Sequence, residues 1–162
     1  MTVSIALTVV FRYLLVALFM PFSALDKILN FKGAVAQARE VVPAEPLARL
    51  LIVAGLAIEI VMPIGILTGY GDRLAAIMLA GYCAVTALLW KRFWKPGDFW
   101  HPGASRGRDL FWDFLKNFAV AAGFLFIAFG TTARTVHAVL ERPVLSTHPY
   151  AAPAASRGFP HG

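Results

Sequence analysis

Cysteine is almost missing from this chain. Cys83 stands alone, which excludes an internal disulfide and a dithiol redox pair. It sits within an apolar run, where the expected role is that of a small buried hydrophobe. Charge is scarce as well: Asp, Glu, Lys and Arg make up 15% of the residues against 59% hydrophobic. A soluble domain carries about 25% charged and about 45–50% apolar residues. The four histidines, His101, His137, His148 and His161, fall in a loop and the tail without metal-ligand spacing, so no metal site is expected. HExxH, GxSxG, Walker A and GxGxxG motifs are all absent. The net charge of +6 does not form the basic stripe that nucleic-acid binding requires. No nucleic-acid partner is expected.

What is present is a set of long apolar runs, with a mean hydropathy of +0.68. They cover about Val3–Leu25, Leu47–Leu67, Asp72–Trp90 and Leu110–Gly130. Each is near the ~20 residues needed to cross about 30 Å of hydrocarbon. Period-2 alternation is missing, so a membrane barrel is excluded. The fold class expected is all-α, a four-helix transmembrane bundle with membrane lipid as its surroundings. The first run lacks a basic leader and an obvious cleavage site, and it is read as a retained first span. Between spans one and two, Phe31, Val35, Ala38 and Val42 fall at helical spacing among Lys32, Gln37, Arg39 and Glu40. That pattern predicts a short interfacial helix ended by Pro43 and Pro46. TGYGD at 68–72 is a tight turn that makes spans two and three neighbours. Gly65 and Gly69, and Ala76, Ala80 and Ala84, have the spacing that lets helices approach closely.

Basic residues concentrate in the two larger loops, from Lys27 to Arg49 and from Lys91 to Arg108. The positive-inside rule then puts these loops in the cytoplasm and both termini outside. The domain expectation is a four-span unit over 1–131 and an extension over 132–162. The last twenty residues are Pro-, Ala- and Ser-rich and are expected to be disordered.

The anomalies are Arg12 and Glu59, charges near the middle of spans one and two. A charge at the bilayer centre costs about 2.5–3.5 kcal/mol, so leaving both unpaired would cost roughly 5–7 kcal/mol. Counting helical rise from the span midpoints places the two at one depth, which predicts an Arg12–Glu59 pair or a shared cavity. Pro63 leaves the Glu59 carbonyl without its helical donor and is expected to kink span two. Tyr82 is a third candidate member. Nearer the loops lie Asp26, Lys27, Asp113, Lys116 and Asn117. Asp113 and Lys116 have i,i+3 spacing and should pair. Lys27 is expected to snorkel to the surface. Asn117 is expected to bond a neighbouring helix or a ligand.

Arg12, the segment FSALDKILNF, the loop ending in VVP, the central Glu59, WHP in loop three and LKNFAVAAGFLFIAFG in span four together resemble the DoxX/DoxD family of small four-span bacterial membrane proteins. The resemblance covers about residues 8–131, and here the usual single loop proline is expanded to VVPAEP. Some members of that family are membrane subunits of quinone-reducing oxidoreductases, and others associate with redox or sulfur-handling proteins. The resemblance therefore implies a bacterial inner-membrane component of a quinone-linked redox system. Quinone is the one candidate cofactor, with electrons supplied by a redox partner protein. Arg12, Glu59, Tyr82 and Asn117 are the ligand or proton-relay candidates. The alternative class is a non-catalytic scaffold or small-molecule carrier in which the Arg/Glu pair is structural.

Overall fold

The computed structural model describes residues 3–18, 20–141 and 146–151. Its regular elements are helices: α1 Val3–Ala17, α2 Met20–Leu29, α3 Phe31–Arg39, α4 Glu45–Thr68, α5 Asp72–Trp90, α6 Arg106–Phe129 and α7 Ala133–Glu141. Four segments are long and apolar enough to cross a membrane: Val3–Leu29, Glu45–Thr68, Asp72–Trp90 and Arg106–Phe129. Large apolar side chains such as Phe11, Leu18, Phe22 and Ile64 point outward, as a lipid-facing surface requires.

The first span differs from the single helix expected. α1 ends at Ala17 and α2 begins at Met20, and the span runs on to Leu29. Pro21 supplies the cause: it has no N–H for the carbonyl of Ala17, the last residue of α1, and its ring crowds that turn. The interfacial helix is present as α3. Its Val35 and Ala38 are buried against Ala48, with Phe31, Ile52 and Trp90 packed around them. The Trp90 indole N–H donates to the Gln37 carbonyl at 3.0 Å and ties α3 to the end of α5.

Pro46 occupies the first turn of α4, where its missing N–H costs nothing. Gly69 ends the helix with φ 76°, and its N–H bonds the Gly65 carbonyl at 3.0 Å. Gly71 follows at φ 61°, completing the predicted turn. Gly65 has no side chain to keep Ala75 away: a Cβ added there would lie 3.1 Å from the Ala75 Cβ. The main core joins Val16, Met20, Ile66, Leu79, Cys83 and Phe124, and Cys83 is buried as expected. Pro63 lies inside α4, which continues as one helix from Glu45 to Thr68.

Loop 91–105 is ordered by α6. Ser105 caps that helix by accepting the Arg108 N–H at 3.2 Å. Asp98 reaches across to accept the N–H groups of Arg106 at 2.7 Å and Gly107 at 2.8 Å. Partial desolvation pushes the Asp98 carboxyl up, but the Gly107 and Arg106 amides and the Ser105 hydroxyl outweigh it and hold it below the usual aspartate value. The Arg108 guanidinium donates to the carbonyls of Phe99, His101 and Gly103. Phe93 packs edge-on against Trp94, Phe111 and Phe114.

The bundle thus has two distinct ends. One carries α3 and loop 91–105; the other carries the α4–α5 turn, where residues 146–151 also dock. Of the stretch read as the C-terminal extension, 142–145 and 152–162 lie outside the described residues. Within the rest of it, residues 133–141 form α7.

Candidate functional site

Arg12 and Glu59 do not meet. The expected pair is replaced by two separate ion pairs at different levels of the bundle. Glu59 bonds Lys27, with Nζ 2.7 Å from Oε1 and 3.0 Å from Oε2. Arg12 bonds Asp72, Nη2 to Oδ2, at 2.8 Å.

Side-chain tilt explains the exchange. In a helix every Cα–Cβ bond leans toward the N-terminus. Arg12 and Lys27 lie on helices running the same way, so Arg12 leans out toward the α4–α5 turn while Lys27 leans inward. Glu59 is on the antiparallel α4 and leans away from Arg12, toward Lys27. Long side chains amplify this offset by several ångströms, which depth counting on Cα positions ignores. Lys27 is therefore not the outward-snorkelling residue expected.

Glu59 is fully enclosed, its side chain 1% exposed, while Lys27 is 22% exposed. The Ser23 hydroxyl donates to Glu59 Oε1 at 2.7 Å and accepts from Lys27 at 2.8 Å. Ser23 lies one turn before Lys27, so both face α4. Tyr82 from α5 stands next to this pair. The Lys27 ammonium lies 5.8 Å from the Tyr82 ring centroid. Gly55 makes room for that ring, since a Cβ there would sit 3.2 Å from it. One buried carboxylate is thus held by an ammonium and a hydroxyl, with a phenol alongside.

This centre forms the floor of a cavity of about 430 Å³ between α2, α3, α4, α5 and α6. Asp26, Asp113, Lys116 and Asn117 line it too, so the two polar groups read separately in the sequence share one space, with Arg12 outside it. Lys116 and Asp26 are exposed and mark its mouth. Asp113 pairs with Lys116 at 3.5 Å, as its spacing predicts, and with Lys91 at 3.0 Å. The Asn117 amide donates to the Asp113 carbonyl of its own helix at 2.9 Å, rather than to a neighbouring helix. Trp90, Thr86 and Ile52 supply much of the remaining wall.

The second ion pair closes the opposite end. Arg12 Nη1 donates to the Ile66 carbonyl at 2.8 Å, one of the C-terminal acceptors that α4 leaves unfilled. Thr147 accepts from Arg12 at 2.8 Å, donates its hydroxyl to Asp72, and places its N–H 2.9 Å from Asp72 Oδ1. Tyr150 and Ser146 donate to the carbonyls of Leu67 and Gly69. Asp72 is 0% exposed. Sequence reading missed Ser23, Asp72 and Thr147. Ser23 was detectable from its i,i+4 position before Lys27, and Asp72 from being an acidic residue between a glycine turn and an apolar run.

Four apolar helical segments with buried ion pairs between them define a multi-span α-helical membrane protein. The chain belongs to the DoxX family, whose model matches residues 7–92. That match takes in both ion pairs, the interfacial helix and the first three spans. Comparison with curated proteins and with solved structures gives no match.

Proposed function

We propose that this protein is the membrane component of a quinone-linked redox system and that the cavity above Glu59 receives a quinone headgroup. The observation that carries the reading is a buried carboxylate, ammonium and phenol at the floor of a lipid-accessible bundle's cavity. Its volume falls within the roughly 300–1,000 Å³ of small-ligand clefts. Lys27 and Tyr82 would donate to a quinone carbonyl oxygen, and Glu59 would hold or pass the proton that reduction requires. The aromatic wall at Trp90 suits a planar ring. In this reading electrons enter from a redox partner protein.

In this reading the two basic loops face the cytoplasm of a bacterial inner membrane and both termini face outward. The rival reading, a scaffold or carrier with structural ion pairs, is favoured by the full satisfaction of Glu59 without a ligand. Photolabelling the purified chain with an azidoquinone separates the two. Labelled peptides from α4, α5 and the start of α6, competed away by unmodified quinone, support the proposal. Labelling spread over the lipid-facing surface, or indifferent to competitor, supports the scaffold.

A further inference from the structure

A second recess lies outside the cavity, between α3 and the start of α4, with a volume of about 380 Å³. Its rim carries Lys32, Arg39 and Arg49, and Glu45 is its one acidic residue among the described residues. Glu45 bonds Arg49 at 2.6 Å and stands 3.8 Å from Arg39. One carboxylate thus holds two guanidinium groups in place and leaves the recess with two net positive charges. Phe31 and Val35 form an apolar floor. The recess keeps its shape because Val35 and Ala38 are buried against Ala48.

The position of the recess matters as much as its charge. Arg49 lies one turn inside α4, a helix long and apolar enough to cross a membrane. Below it, on the same helix face, Val53, Ala57, Ile60 and Ile64 are all exposed, at spacings of four, four, three and four residues. A cationic recess therefore stands directly above an apolar ridge that runs down into the bilayer.

We infer that this recess is a binding site for one anionic phospholipid. Its phosphodiester headgroup lies among Lys32, Arg39 and Arg49, and an acyl chain follows the α4 ridge. The guanidinium groups supply forked N–H donors suited to phosphate oxygens. A zwitterionic lipid carries the same phosphate but adds a cation, which the three basic residues repel. The site lies apart from the Glu59 cavity and does not depend on what that cavity binds.

The full chain, purified in detergent, is titrated with phosphatidylglycerol or phosphatidylcholine, and bound lipid is counted by native mass spectrometry. Phosphatidylglycerol should bind more tightly than phosphatidylcholine. Each basic residue near an anionic headgroup is worth about five-fold in binding, so Lys32→Gln with Arg49→Gln should weaken it about 25-fold. The same charge loss at the exposed Lys95 and Arg106 should change it less than about two-fold. Melting temperatures of both double variants establish that they fold. Equal affinity for the two lipids, or an equal loss in the Lys95/Arg106 variant, would overturn the site. So would inorganic phosphate giving the same thermal shift as phosphatidylglycerol, since the ridge would then contribute nothing.

Discussion

Lys27→Met isolates the energetic role of the buried pair. The substitution keeps the length and apolar stem of the side chain but removes the cation paired with Glu59. An exposed ion pair contributes about 0.2–1 kcal/mol, whereas removing one partner from a buried pair costs about 3–5 kcal/mol. Glu59 is 1% exposed and Lys27 is 22% exposed, so the cost should fall at the lower edge of the buried range. About 3 kcal/mol corresponds to a roughly 150-fold shift toward the unfolded state. Ser23 still donates to the carboxylate, which prevents a larger loss. Adding Glu59→Gln to Lys27→Met removes the stranded charge and should recover at least about half of the deficit. The assay is equilibrium unfolding in mixed micelles for both single variants and the double variant. A Lys27→Met loss below about 1 kcal/mol, or a double variant no more stable than Lys27→Met, would refute the reasoning.

Three further outcomes follow from the same geometry. At the opposite end, Thr147→Val removes the hydroxyl that links Arg12 to Asp72 but leaves their direct 2.8 Å contact, so a loss of about 1–2 kcal/mol is expected. Faster amide exchange around Gly69 and Asp72 should accompany it; unchanged exchange there would show that residues 146–151 do not hold the turn. Arg12→Met strands Asp72 and should cost more, about 3–5 kcal/mol in the same unfolding assay, and a cost no greater than that of Thr147→Val would count against the pair. The Asp98 cap of α6 is held below its ordinary value of 3.8, so its stabilisation is fully present above that pH and is lost as pH falls through the lowered value. Protection of the Arg106 and Gly107 amides should therefore decline only in acid, and the Asp98→Asn variant should lack that acid limb.

The spans, the interfacial helix and the glycine turn were legible because each rests on local periodicity or on a residue with one dominant conformational role. Val35 and Ala38 share a helix face whatever they pack against, and Gly69 and Gly71 mark a reversal without tertiary information. The break in the first span was also written locally, in Pro21, but the apolar composition around it masked the missing N–H. The partners of Arg12 and Glu59 were harder to read. Depth counting places Cα atoms, while a salt bridge joins side-chain ends that lean in opposite directions on antiparallel helices. Thr147 was beyond reach for another reason: it lies 135 residues from Arg12, and nothing in its Pro- and Ser-rich surroundings signals a buried contact. The cavity itself emerged from residues that the sequence had divided into two groups. Glu59, Tyr82 and Lys27 form its floor, and Asp113 and Lys116 stand toward its mouth.

The central claim is that the Glu59 carboxylate, with Lys27 and Tyr82, forms the polar end of a quinone site. Calorimetric titration of the purified chain with a short-chain quinone, repeated on the double variant Lys27→Met with Glu59→Gln, tests it most directly. The hydrogen bond from the charged Lys27 ammonium is worth about 1.5–3 kcal/mol, so the variant should bind at least about ten-fold more weakly while remaining folded. Saturable binding of equal affinity in both proteins, or no binding to the unaltered chain, would contradict the account.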